Sequence, residues 1–219
     1  MELNQSQLDY LFTRSKNYDR KYCMFYDMLH NIPEPEKIHS CIELFGGVGI
    51  SSKYIEDYFN LTTHTIIDLD PQCCAILQKQ FPNREILNID NVTYNNNEII
   101  DLLVIDSVFN QKVFEQIISL IQKFNFKYLI LTNTGVFNVR WNKRISSYEE
   151  YWGQLTEKLK SYNLYTKNII YGSEFGFMLI IKDPIKEMTL DRYPASKKLT
   201  TWRPYVENIK NYLENKLKT

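Results

Sequence analysis

The chain has 219 residues, 44% hydrophobic and 24% charged, enough for one well-buried globular domain and short for a second full one. Lys+Arg and Asp+Glu both number 26, so no overall field draws the protein to nucleic acid or a membrane, although a local basic patch is compatible with neutrality. The four cysteines (Cys23, Cys41, Cys73, Cys74) form no Cys-x-x-Cys, the three histidines (His30, His39, His64) stand far apart, and no run approaches the roughly 18 apolar residues of a membrane span, so neither a metal site nor a membrane helix is expected.

From the start of the chain, MELNQSQLDY is polar and lacks the apolar region of a signal peptide, and a cytoplasmic protein is expected. Residues 6–30 read as an aromatic-rich helical flank. Short apolar runs then alternate with helical patterns. The runs are SCIELF (40–45), THTIIDLD (63–70), EILNID (85–90), DLLVID (101–106) and KYLILTN (127–133). Several are apolar on consecutive residues, which suits strands buried on both faces of a parallel sheet.

Between the runs, Ile50, Tyr54, Ile55 and Tyr58 share one helix face. Cys74, Leu77 and Phe81 share another, in a helix that Asp70 caps and Pro71 opens. A third helix carries Val113, Phe114, Ile117, Ile121 and Phe124. The fourth has Ser147 and Glu150 as a capping box, then Trp152, Leu155 and Leu159. VTYNNNE (92–98) reads as loop. YTKNIIYG (165–172) and FGFMLIIKD (175–183) are so closely linked that only an antiparallel hairpin can join them. The expected fold is therefore α/β: a doubly wound, mostly parallel seven-stranded sheet ending in an antiparallel hairpin. Three regions are expected: a helical flank at 1–37, a core at 38–183 and a basic extension with a helix at 184–219. That extension holds eight Lys/Arg against four Asp/Glu from Lys186 on.

The least ordinary feature is CIELFGGVGISSKYI (41–55), where a buried strand meets a helix through a Gly-Gly-x-Gly turn. Such a turn either lets backbone approach a ligand at a helix N-terminus or packs tightly as a plain connection. Its company favours a ligand. Asp68 ends the next strand about 20 residues on, the distance at which an acid meets ribose hydroxyls, and Asp90 ends the third strand in the same way.

Here the sequence resembles the class I S-adenosylmethionine-dependent methyltransferases. IELFGGVG is similar to their first motif, TIIDLDPQCCAIL to the second, ILNIDN to the third and DLLVIDSVF to the fourth. The terminal hairpin matches their sixth and seventh strands. The resemblance implies S-adenosyl-L-methionine as cofactor, with Glu43 near the methionine ammonium group and Gly47 and Gly49 beside the methionine and ribose. It further implies that Asp68 takes the ribose hydroxyls, that Asp90 receives the adenine amino group, and that the Asn91 region lies beside the ring. A nicotinamide-type Rossmann domain is the competing reading. Its G-x-G-x-x-G is matched only up to Ser52, and the hairpin fits it less well.

Phe45, where many small-molecule methyltransferases have glycine, resembles the enzymes that methylate nucleic-acid bases; it reads equally as a core residue covering the turn. Asp106-Ser107-Val108-Phe109 stands where exocyclic-amine methyltransferases carry Asn/Asp-Pro-Pro-Tyr/Phe, without the two prolines. Asp106 is the catalytic candidate, to hold an amine in line or take its proton, and the alternative is a helix cap. Phe109 would stack on a flat acceptor, or pack. No cysteine follows Cys74, which excludes cytosine ring-carbon methylation by a Pro-Cys nucleophile. The second motif also resembles that of catechol-type O-methyltransferases, which implies magnesium held by acids after the fourth and fifth strands; Asp106 fits one ligand, but Asn133 and Thr134 replace the acidic partner.

FNVRWNKR (137–144) interleaves Arg140, Lys143 and Arg144 with Phe137 and Trp141, cations for phosphates beside rings for bases. A solvated loop with one buried Trp is the plainer reading. The expected function is methyl transfer to a nucleic-acid base nitrogen, with DNA or RNA as partner. The alternatives are a small-molecule or protein methyltransferase, and an inactive binding module that keeps the fold.

Overall fold

The structure, a computed structural model, describes residues 4, 6, 7, 25–107, 114–132, 148–171, 176–182 and 191–194. Its strands are β1 (Ser40–Leu44), β2 (Thr63–Asp68), β3 (Glu85–Asn88), β4 (Ile99–Ile105), β5 (Asn125–Leu131), β6 (Tyr165–Tyr171), β7 (Gly176–Ile181) and β8 (Asp191–Pro194). The helices are α1 (Ile50–Tyr58), α2 (Pro71–Gln80), α3 (Phe114–Gln122) and α4 (Tyr148–Lys160), with a helical turn over 25–29 before β1.

The strands lie in the order β3-β2-β1-β4-β5-β7-β6-β8. From β1 the chain winds outward through β2 to β3, then returns to the other side of β1 for β4 and β5, and all of these neighbours are parallel. β7 enters antiparallel to β5 and to β6, so the hairpin closes the sheet as expected. The first seven strands match the expected architecture. The eighth does not. Residues 191–194, assigned from sequence to the basic extension, pair parallel with β6. Charges and a proline disguise them, yet both belong on an edge strand, where one row of backbone groups stays unpaired and Pro194 can close the strand.

The consecutive apolar residues sort cleanly onto two faces. In β4, Leu102 and Val104 join one cluster with Phe25, Leu29, Tyr54 and Ile55, while Leu103 and Ile105 join another with Ile117, Ile121, Leu155 and Leu159. Both faces of the strand are dry, hence the unbroken run. Of the flank expected at 1–37, Phe25, Met28, Leu29 and Ile32 are buried in the first cluster, and the Phe25 ring lies 6.1 Å from that of Phe177 on β7. Lys79 on α2 donates to the Gln7 side chain at 2.7 Å.

Asp101 on β4 clips the start of β1. Its Oδ2 accepts from the backbone N–H groups of His39 (2.9 Å) and Ser40 (3.0 Å) and from the Ser40 hydroxyl (3.0 Å), while Lys127 pairs with its other oxygen. Asp70 caps α2 as expected, accepting from the Gln72 N–H at 2.8 Å, with Pro71 at the first helical position. No described helix is long and apolar enough to cross a membrane.

Candidate functional site at the carboxyl edge

Strand order reverses between β1 and β4, where an open α/β sheet has its ligand crevice. Register carries this further. Leu44 lies opposite Ile105 and Ile67, Ile105 opposite Leu131, and Asp68 opposite Asn88. The next residues, Phe45, Asp106 and Thr132, therefore stand side by side along the carboxyl edge, with Asp68 flanking them on the β2 side.

The glycine turn crosses this edge. Gly49 closes it at φ +82° as the N-cap of α1, and its N–H donates to the Gly46 carbonyl at 3.0 Å. A methyl group on Gly49 would lie 2.6 Å from Leu77 Cδ2 and 2.8 Å from Phe81 Cε2, so α2 packs directly on the turn. Gly47, at φ +56°, is different: a Cβ there would meet nothing within 4 Å. The backbone at Gly47 thus borders open space, as a surface made for close approach by a ligand should.

Asp68 organises the turn from β2. Its Oδ2 accepts from the Gly47 N–H at 2.7 Å and its Oδ1 from the Asp70 N–H at 2.8 Å. Each carboxylate oxygen can accept a second bond, so capacity for hydroxyl donors is left. Leu69, directly after it, is 64% exposed, an apolar side chain standing free at the edge. Sequence reading passed over Leu69 because it continues an apolar run; its position one residue past the strand was the available signal.

Asp90 is exposed, and its Oδ1 accepts from the Val92 N–H at 3.0 Å. Asn91, whose region is expected beside a ligand ring, is buried, and its Oδ1 accepts from the Phe45 N–H at 3.1 Å. That bond holds Phe45 at φ +62°, a left-handed backbone that strains any residue but glycine. The Phe45 ring is half-buried against the second apolar cluster.

Glu43 has no solvent exposure. The hydroxyls of Ser51 and Ser52, in the first turn of α1, donate to its two oxygens, and His64 Nε2 lies 3.6 Å from Oε2. Glu43 therefore grips the helix behind the turn, and its charge would reach a ligand only across the backbone.

Asp106 is half-buried at the end of β4. Its N–H donates to the Leu44 carbonyl at 3.1 Å, and the Thr132 hydroxyl donates to its Oδ1. Phe109, Arg140, Trp141, Lys143 and Arg144 lie outside the described residues, as do Ser147 and Val113. Among the described residues no three His, Cys, Asp or Glu side chains are grouped to hold a metal. A cavity of about 370 Å³ opens at the opposite, amino edge between Thr65, Glu85, Tyr94 and Ile100, away from the glycine turn.

Neither family models nor curated protein sequences match the chain. Solved structures do. A chain of the complex between the Haloferax volcanii Trm112 methyltransferase activator and a putative methyltransferase superposes with a TM-score of 0.61 at 12% identity, over 84% of this chain and 99% of that one. A protein from Pyrococcus horikoshii described as a putative RNA methyltransferase superposes with 0.54 at 7% identity, over 75% and 82%. A TehB-like SAM-dependent methyltransferase from Corynebacterium glutamicum gives 0.53 at 15% identity, over 82% and 100%. The chain has the class I methyltransferase fold.

Proposed function

We propose that this protein is an S-adenosylmethionine-dependent methyltransferase acting on a nucleic-acid base nitrogen. The observation that carries the cofactor reading is the open backbone at Gly47, tied to Asp68 by a 2.7 Å bond at the point where strand order reverses. Asp68 would accept the ribose hydroxyls on its remaining lone pairs, Leu69 would lie against the adenine, and exposed Asp90 would meet the adenine amino group. Glu43 would favour the methionine ammonium through its charge, across the turn. The bound cofactor would supply a methyl group on a sulfonium. Asp106, beside Phe45 on the same edge, would hold the acceptor amine in line and draw off its proton.

Nucleic acid as acceptor is supported by Arg140, Lys143 and Arg144 interleaved with Trp141, and by a putative RNA methyltransferase among the structural neighbours. The lack of both prolines in Asp106-Ser107-Val108-Phe109 favours a second reading, a binding module without turnover.

Calorimetric titration of S-adenosylmethionine, S-adenosylhomocysteine and NAD into wild type and Leu69→Ser tests the cofactor. The first two should bind wild type and weaken about tenfold in Leu69→Ser, as loss of one apolar contact implies, with the urea midpoint unchanged. Binding of NAD alone, or of none of the three, would overturn the reading. Labelled methyl transfer to DNA or RNA, lost on charge reversal at Arg140, Lys143 and Arg144, tests the acceptor and separates an enzyme from a module.

A further inference from the structure

Behind the glycine turn lies a line of ionisable side chains of which the proposed chemistry uses only Glu43. His64 on β2 is completely buried. Its Nδ1 lies 2.6 Å from Glu56 Oε1 on α1, and its Nε2 faces Glu43 Oε2 on β1 at 3.6 Å without a hydrogen-bond partner. Glu56 in turn pairs through Oε2 with Arg84 Nη2 at 2.6 Å, near the surface. The sequence Glu43, His64, Glu56, Arg84 thus runs from beneath the turn to solvent.

We propose that His64 is a positioning residue: as a doubly protonated imidazolium between Glu43 and Glu56, it holds the first turn of α1, and with it the glycine turn, in the shape that receives the ligand. A neutral imidazole carries one N–H and one lone pair, so it would set that lone pair against either the buried Glu43 or the part-buried Glu56. Only the cation suits both. It also leaves Glu43 ionised, and an ionised Glu43 is what accepts from Ser51 and Ser52. Without the imidazolium, Glu43 would be a buried charge with no counter-ion, a state that proteins avoid by taking up a proton or moving.

The surrounding groups agree. Burial alone would push the imidazole down, but the carboxylates of Glu43 and Glu56 hold it above the usual histidine range. Burial pushes the Cys41 thiol on β1 up, so it stands beside the imidazole as an uncharged neighbour. Glu56, against its own burial, is held below the usual carboxylate range by His64 and Arg84. Glu43 and Glu56 both connect to α1, one gripping its first turn and the other belonging to its body, so a single proton at His64 ties that helix to two strands.

The ligand side of this inference rests on the cofactor reading above, so the test begins without ligand. In the full chain labelled with ¹⁵N at histidine and glycine, NMR titration should show His64 still protonated at pH 7 and losing its proton only well above the usual histidine range. The amide shifts of Gly47 and Gly49 should move with the His64 midpoint, and that movement should vanish in His64→Gln. A neutral His64 at pH 7, or glycine shifts that ignore its titration, would overturn the proposal. Should His64→Gln fail to fold, the wild-type titration alone decides. With S-adenosylhomocysteine added, affinity should fall about tenfold as His64 deprotonates, and by reciprocity saturating ligand should raise the His64 midpoint by about one pH unit. No binding at any pH would count against the cofactor reading, while the ligand-free titration would still decide the role of His64.

Discussion

Two glycines separated by a single residue in the same turn, Gly47 and Gly49, should respond in opposite ways to a single methyl group. In Gly49→Ala the new Cβ would lie 2.6 Å from Leu77 and 2.8 Å from Phe81, on a backbone at φ +82°. A left-handed residue with a side chain costs roughly 1–2 kcal/mol. Forcing apart two packed side chains adds roughly 1–3 kcal/mol. The sum, about 3 kcal/mol, corresponds in a chain of this size to a fall in Tm of about 10 °C. In Gly47→Ala the backbone term is similar, but nothing lies within 4 Å of the methyl, so the packing term is absent and the loss should be about 1 kcal/mol. That methyl would instead stand in the space proposed for the ligand. Urea unfolding and S-adenosylhomocysteine calorimetry on both variants separate the effects. Gly49→Ala should lose stability, and Gly47→Ala should stay folded and lose most of its binding. Equal destabilisation, or wild-type affinity in Gly47→Ala, would refute the assignment of the turn.

Asp101→Asn should cost about 2 kcal/mol in urea unfolding, because the clip on His39 and Ser40 is weakened and Lys127 loses its counter-charge. The Asp101 carboxyl, despite burial, is held below its usual range by Lys127 and by the His39 and Ser40 donors. Its contribution is therefore present above the unfolded value of about 3.9 and lost as pH falls through the lower folded one, so acid unfolding should be less steep in Asp101→Asn. His64 works in the opposite sense: its raised folded value means stability present below about 6.5 and lost as pH rises through that folded value, an alkaline softening that His64→Gln should abolish. Asp106→Asn should bind cofactor as wild type does and transfer methyl groups at least about a hundredfold more slowly, a loss typical of a missing proton acceptor; unchanged turnover would remove Asp106 from the chemistry.

Much of the scaffold was legible because the central strands β1, β2 and β4 are dry on both faces and helices such as α1 are buried on one. Runs such as DLLVID and patterns such as Ile50, Tyr54 and Ile55 admit few other arrangements, and Asp70-Pro71 announces its own helix. The hairpin followed from the short link alone. β8 was hidden because edge strands are marked by what they lack. Within the site, the spacing of Asp68 from the turn was legible, but its bond to the Gly47 N–H was not, nor was the partnership of Asn91 with Phe45. Those contacts join residues 21 and 46 positions apart, and no local period records them. Glu43 could be seen as an acid of the first motif, whereas its burial against Ser51, Ser52 and His64 needed the parallel pairing of β1 with β2 to bring them together. Asp101 was overlooked for a related reason, standing among apolar neighbours in a strand whose other members face the core.

The pairing of β8 with β6 has a practical side. Trimmed after residue 183, where the apparent core ends, the chain would retain every strand of the seven that resemble known enzymes. It would also leave the outer backbone groups of β6, from Asn168 to Tyr171, without the partners they have in Asp191–Pro194. Bare strand edges recruit strands from other molecules. The shorter protein would fold around the same centre yet tend to self-associate, and the short segment that looks dispensable from sequence would prove to be what keeps one copy apart from the next.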